Sequence, residues 1–322
     1  MSQFPHGLMF HRFHHRGGAS AGQGSLTPDE FEAILHYVGI ANILSPGEWL
    51  YKLERDGLGA DDLCLTFDDG LKCQYEVALP VLEKHALQAF WFVYSSVFKG
   101  DPGKSEIYNK FSVNYFNEMD EFYALFFDKC RTEILQQLNT SEFKRYAAEI
   151  SASSPFYSMN DLKYRYIRNE LLSKENYESI VDNIIKDKGT GLGDPVKNLW
   201  LSDKQLKILT AKGHSIGLHS YDHPFRLSSL SYEEQLNQYT MNREHIESVT
   251  ESKALAMSHP LNSYNQDTFD ILNGLGIVCG FRANMTPPKG KKINPSRLEI
   301  ARRDSSDITG AAIMVDGGWM VK

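Results

Sequence analysis

The sequence lacks the features that mark several classes of protein. It has no excess of positive charge: 34 Lys and Arg face 41 Asp and Glu, for a formal net charge of -7. No general basic surface is therefore available to track a nucleic-acid backbone. No apolar run approaches membrane-spanning length, and the first ten residues, MSQFPHGLMF, lack the basic start, long apolar stretch and small-residue cleavage site of a secretory leader. The expectation is a cytoplasmic protein without a membrane span. Cysteines are few, Cys64, Cys73, Cys130 and Cys279, and none forms a CxxC pair. That fits neither a disulfide framework nor a thiolate zinc site, and the four read as buried or idle thiols. Internal repeats and low-complexity tracts are absent as well. What is present is a chain of 322 residues with 42% hydrophobic content, enough to bury one large core or two modest ones.

The pattern along the chain alternates strands and helices. Leu8-Met9-Phe10 suits a short strand ending near His11, and a Gly/Ser-rich loop follows from Arg16 to Ser25. Thr27-Pro28-Asp29-Glu30 then carries an N-cap, a proline at the first helical position and the glutamate of a capping box, ahead of Phe31, Ile34, Leu35 and Val38 at helical spacing. Asp62 to Phe67 is a buried-strand run that halts at Asp68-Asp69-Gly70. A helical stretch from Tyr75 to His85 leads to a second such run, Ala89 to Val93, which completes a β-α-β unit. The same rhythm returns after Trp200. It predicts a helix through Leu206 and Leu209, a strand from His214 to Leu218, a helix from about Tyr232 to Val249, and strands near Ala254 to Met257 and Ile277 to Phe281. Parallel strands in a sheet or barrel are expected. Residues from about 101 to 198 break the rhythm with helical, aromatic-rich sequence, including Phe111, Tyr115, Phe116, Phe122, Tyr123, Phe126 and Phe127. These aromatics read as the core of a helical insertion, with stacking on a sugar as the alternative.

Two patches place ligand-type side chains where a strand meets a loop: Asp68-Asp69-Gly70, and Gly217 to Pro224 with His219 and His223. Sites of α/β folds form at such strand ends. Two histidines four apart can face one metal if the segment between them is a turn of helix. One carboxylate then completes a set that leaves positions open for water and substrate.

In combination these residues are recognisable. Leu65-Thr66-Phe67-Asp68-Asp69-Gly70 resembles the first motif of the polysaccharide deacetylases, the NodB-homology or carbohydrate esterase family 4 group, and Gly213 to Pro224 resembles the second. The likeness extends to Ala78-Leu79-Pro80-Val81-Leu82 through Phe92-Val93 and to the opening Leu8-Met9-Phe10-His11-Arg12, about two-thirds of the chain. It implies a distorted (β/α) barrel with fewer than eight strands, divided into residues 1–100, a helical insertion at 101–198, and residues 199–322 with an atypical tail. By this resemblance Asp68 is the general base, and Asp69, His219 and His223 bind a divalent metal. Zn²⁺ leads on chemistry and availability, and Co²⁺, Mn²⁺ and Ni²⁺ also fit such ligands. A cation of this kind polarises the acyl oxygen and acidifies water while the adjacent carboxylate removes the proton.

Two departures from the family pattern bear on mechanism. The third motif, commonly an Arg ahead of Pro-Tyr, corresponds to Met257-Ser258-His259-Pro260-Leu261, which keeps the Pro and lacks the Arg and Tyr. The backbone N-H of Leu261 can still serve an oxyanion hole, and Arg282, Arg302 or Arg303 are the candidates to replace the missing cation. The late Leu-x-His motif that supplies the general acid has no match, since the last histidine is His259. His259 and His11 are the candidate proton donors, with a structural role as the alternative for each; His14 and His15 read as solvated loop residues. Ile308 to Trp319 resembles the closing segment of short-chain dehydrogenases. No GxxxGxG loop or Tyr-x-x-x-Lys pair accompanies it, so it reads as a strand and turn.

The expected activity is hydrolysis of an N-acetyl or similar acyl amide on an amino sugar or glycan precursor, in an intracellular setting. Hydrolysis of a non-sugar amide or cyclic imide is one alternative. A catalytically weak, metal-containing glycan-binding protein is the other, and an intact Asp68 argues against it.

Overall fold

The computed structural model describes residues 4–17, 24–153, 157–189 and 199–308. The dehydrogenase-like tail therefore lies, apart from Ile308, outside the described residues. The chain divides into two compact units: Met1–Asp101 with Asn198–His223 and Leu227–Lys322, and Pro102–Lys197 with Pro224–Arg226.

Among the described residues, the first unit is built on seven strands, all parallel: β1 (His6–Phe10), β2 (Leu63–Phe67), β3 (Phe90–Val93), β4 (Ser215–Leu218), β5 (Ala256–Ser258), β6 (Cys279–Phe281) and β7 (Arg302–Asp304), in the order β6-β5-β4-β3-β2-β1-β7. A bridge from Phe281 to Ile300, with Ile300 donating to the Gly280 carbonyl, brings the β7 segment against β6 while Gly7 donates to Ala301. The sheet thus curls into a nearly closed barrel. Strands shielded on both faces need no polar alternation, and β1, β2 and β3 are buried at every residue. Trp49, Cys64, Phe90, Phe92, Ala256, Cys279, Phe281 and Ile300 form one buried cluster, and Leu8, Phe10, Leu65, Phe67, Trp91, Val93, Ile216, Leu218 and Met257 belong to a second that takes in the surrounding helices.

Local sequence sets the helices. Helix α1 (Pro28–Val38) starts on the Thr27/Glu30 capping box and buries Phe31, Ile34 and Leu35. A second box, Ser45 with Glu48, opens α2 (Pro46–Glu54). The expected helix after Gln74 is a π turn, Gln74–Ala78, running into α3 (Leu79–Lys84). β7 escapes a reading based on apolar runs because its residues are Arg-Arg-Asp; its pairing is to β1 backbone.

The second unit contains α4 (Lys104–Tyr115), α5 (Met119–Lys129), α6 (Thr132–Gln136), α7 (Ser141–Ser153), α8 (Met159–Tyr166) and α9 (Lys174–Asp187). Phe111, Phe116, Phe122, Tyr123 and Phe126 are buried in its own core with Tyr164 and Tyr177. Packing accounts for these aromatics, leaving Tyr115 exposed. In the first unit, α10 (Asp203–Ala211), α11 (Tyr232–Thr250) and α12 (Gln266–Gly274) complete the set. Among the described residues no helix is long and apolar enough to cross a membrane, and the four cysteines are free.

Candidate metal centre and active site

Strand register delivers the polar residues to one end of the barrel. β1 and β2 pair up to Phe10 and Phe67, so His11 and Asp68 leave the sheet at the same level, with Asp68 N donating to the Phe10 carbonyl at 3.1 Å. β3 and β4 pair up to Val93 and Leu218, which sets His219 next. Ser258 closes β5. Parallel strands end on the same side, and their C-terminal ends therefore share a floor.

Asp69, His219 and His223 each offer a ligand atom within 4.8 Å of the others. Asp69 Oδ1 lies 3.5 Å from His219 Nε2 and 3.7 Å from His223 Nε2. His219 Nδ1 lies 2.9 Å from the Ser258 carbonyl. A carbonyl can only accept, so Nδ1 donates to it and Nε2 is the ring nitrogen that faces Asp69. Asn242 supports the same residue, accepting from His219 N at 2.9 Å and donating to the Val93 carbonyl at 3.0 Å. The segment between the two histidines is not the helical turn expected from their spacing. It is a loop in which Ser220 and His223 take positive φ, 64° and 54°, and Asp69 does so at 75°. Left-handed backbone at three non-glycine residues persists only where the surroundings hold it, as at functional sites. Gly70 answers a different constraint: its φ is 73° and an added Cβ would lie 2.9 Å from Val93 Cγ1. No other residue fits there.

The electrostatics match the donor set. Burial alone would raise the Asp69 carboxyl, but the hydrogen bond from His219 and the charges of His11, His223 and His219 hold it well below the usual carboxylate range. Burial pushes His223 down to about 4, helped by the charge on His219. His219 is itself raised, because Asp68 and Asp69 outweigh its own burial. A buried carboxylate and a neutral imidazole beside a second, oriented imidazole are ligands a borderline divalent cation takes directly.

Asp68 is held separately from this cluster. Arg302 forks onto it, NH1 to Oδ1 and NH2 to Oδ2, both at 2.7 Å, and Ser258 Oγ donates to Oδ2 at 3.0 Å. The remaining guanidinium donors go to Thr66 Oγ1, Ser258 Oγ and the Arg282 carbonyl. All five N-H groups of a fully buried arginine are thereby satisfied. Against the penalty of burial, Arg302 and His219 hold Asp68 down to about 2. Of the three arginines expected as candidates, it is Arg302, from β7, that reaches Asp68, with the Ser258 hydroxyl bonded to both. Arg282 is spent on the carbonyls of Glu299, Thr286 and Ile293. The path of Arg302 depends on Gly7, where an added Cβ would lie 2.9 Å from Arg302 Cγ.

The remaining predicted residues divide. His11 is half-buried beside the cluster, close enough for its charge to act on Asp68, Asp69 and His223. Gln74, unmarked by any motif, donates to the carbonyls of both His11 and Asp68, at 2.8 and 2.6 Å, and so ties the two strand ends together. His259 faces elsewhere: its Nε2 meets the Leu298 carbonyl at 2.8 Å, its ring lies tilted against Tyr264 with centroids 4.4 Å apart, and burial pushes it down to about 3. It is a neutral ring at neutral pH. Leu261 follows Pro260 with left-handed backbone (φ 48°, ψ 26°) and 43% exposure.

Residues 175–280 match the family model described as polysaccharide deacetylase. No curated protein matches the chain. Among solved structures, the chain is similar to the Streptococcus pyogenes deacetylase PplD in complex with acetate, at 17% identity and TM-score 0.55, covering 94% of this chain and 93% of that one. It is similar to IcaB from Ammonifex degensii at 16% identity and TM-score 0.54, covering 97% and 98%. A de-N-acetylase from Aggregatibacter actinomycetemcomitans follows at 11% identity and TM-score 0.51, covering 94% and 95%. At such identities the likeness speaks to the fold, a distorted (β/α) barrel.

Proposed function

We propose that this chain, whose family is that of the polysaccharide deacetylases, is a metal-dependent hydrolase that removes an N-acetyl or similar acyl group from an amino sugar or glycan precursor. The observation that carries the reading is the pairing of two devices at one barrel end: three converging ligands, and beside them a carboxylate clamped by a buried arginine.

Asp69, His219 and His223 would hold a divalent cation such as Zn²⁺, which when bound would supply Lewis acidity to the acyl oxygen and acidify the attacking water. Asp68 takes the proton of that water. Its four lone-pair sites lose three to Arg302 and Ser258, which leaves one free, and His219 Nε2 lies 4.0 Å from its Oδ2. Arg302 keeps this carboxylate ionised and fixes its plane, so that it stands ready as an acceptor. The Leu261 N-H is the candidate donor to the oxyanion that forms when water oxygen bonds to the acyl carbon. His11 is the better placed of the two candidate acids. It donates a proton to the nitrogen as the carbon-nitrogen bond breaks, releasing the free amine and the carboxylate product.

The test is acetate release by the purified, metal-loaded protein from a panel of N-acetylated amino sugars, free and nucleotide-linked, with a chelator-treated control. Chelator-sensitive release supports the reading. No release from any member, with metal demonstrably bound, refutes the assignment of substrate class.

A further inference from the structure

A second group of ligand-type side chains lies away from the strand ends. Glu32 and His36 sit one turn apart on α1, and His85 caps α3. His85 Nε2 lies 2.6 Å from Glu32 Oε1, and His36 Nε2 lies 3.9 Å from the same oxygen. The two imidazoles meet edge to face, with centroids 5.2 Å apart and planes at 88°. Each residue offers a ligand atom within 4.8 Å of the others, as the three of the mouth cluster do. Lys84 Nζ also contacts Glu32 Oε1, at 2.5 Å, from a side chain that is 62% exposed.

We propose that Glu32, His36 and His85 form a second cation site, selective for borderline divalent transition metals, that staples α1 to α3. The donor chemistry carries the selectivity: two imidazoles and one carboxylate suit Zn²⁺, Co²⁺, Ni²⁺ or Cu²⁺, whereas Mg²⁺ and Ca²⁺ demand oxygen ligands. Helix geometry preorganises two of the three ligands, since residues four apart share a face. The third ligand comes from a helix 53 residues further on, so that binding crosslinks distant elements and favours the folded state. Separations of 2.6 and 3.9 Å straddle those of ligands about 2 Å from a shared ion, and small side-chain movements equalise them. Lys84 is the resident competitor. Its hold on Glu32 is that of an exposed ion pair, which is weak.

The experiment is zinc binding to the metal-free full-length chain, measured by equilibrium dialysis against ZnCl₂ and by thermal unfolding, with MgCl₂ as the control salt. The wild type is expected to bind two Zn²⁺ per chain, with a rise in Tm that MgCl₂ does not reproduce. His85→Ala and His36→Ala each lose one ion and keep the mouth ion. His219→Ala loses the mouth ion and keeps the outer one. Lys84→Met tightens the outer site by about tenfold, because a competing charge is gone; a cluster that is only an ion-pair network responds to that change with no gain in zinc affinity. One ion in the wild type and none in His219→Ala would overturn the second site. Two ions in the wild type and two in His219→Ala would instead overturn the mouth assignment, so the two readings fail separately.

Discussion

Replacing Arg302 by Met should damage the protein in two ways that can be measured apart. The guanidinium and Asp68 are buried together, at 0% and 2% exposure. Removing one partner of a buried pair costs about 3–5 kcal/mol, because the other charge is left without compensation. Urea unfolding should show a loss of that order. The second effect is on the base. Burial, the largest influence on Asp68, raises it, and the charge of Arg302 leads the opposing influences that hold it at about 2. Without Arg302 the carboxyl therefore titrates higher, and the acid limb of kcat/KM against pH, measured on an N-acetylated amino sugar with metal-loaded protein, moves upward. Ser258→Ala is the graded control: it removes one donor to Asp68 and orphans one guanidinium N-H, a loss of about 1–3 kcal/mol with a smaller shift of the limb. The double variant Ser258→Arg with Arg302→Ser moves the cation to β5, beside Asp68, and should recover part of both losses. An Arg302→Met protein with an unmoved acid limb and less than about 1 kcal/mol of destabilisation would refute the reasoning.

Asp68→Asn should keep fold and metal but lose turnover, whereas His219→Ala should lose the mouth metal; a fully active Asp68→Asn protein would dismiss Asp68 as the base. Gly217→Ala should prevent stable folding or cost several kcal/mol by urea unfolding, of order the overpacking range or above, since its Cβ would lie 2.6 Å from both the Ala256 carbonyl oxygen and the Phe92 ring; wild-type stability would contradict the strand spacing. His214 predicts acid sensitivity. Burial pushes it down to about 4 while its Nδ1 accepts from Ala89 N at 3.0 Å. Below the unfolded value near 6.5 the unfolded chain gains a proton that the folded chain refuses, so this stability is full above about pH 6.5 and falls by roughly 3 kcal/mol as pH drops to 4. Urea midpoints at pH 8 and pH 5 test it, and His214→Asn should narrow the difference.

Much of the barrel was legible in the sequence because its signals are local. The capping box at Thr27 and Glu30, and the apolar runs that stop at Asp68 and His219, depend on neighbours within a few positions. That Asp69, His219 and His223 come together with Asp68 beside them was legible for a related reason: all four follow strand ends in short loops. β7 carried no such signal. Its partners are backbone groups of β1, contributed from almost the other end of the chain. Gln74 was equally silent, for its role as a tie between two carbonyls leaves no pattern in sequence. The distances between His219, His223 and Asp69 also depend on left-handed backbone that spacing alone cannot express.

Arg302 shows how a carboxylate at one strand end can be served from a strand far along the chain. The base needs a forked cation delivered to the barrel interior, and a closed sheet offers inward positions on several strands that reach the same point. β5 carries serine at that point, which leaves room and adds a hydroxyl bonded to both partners. β7 lies beside β1, and Gly7, paired with Arg302 in the register, lacks the Cβ that would block the side chain. Gly7, Ser258 and Arg302 serve one end, a bidentate ion pair on Asp68. Because each is tolerable only with the others, their effects on stability should be coupled and not additive, and a comparison made strand by strand sees three unrelated residues where the barrel interior holds a single device.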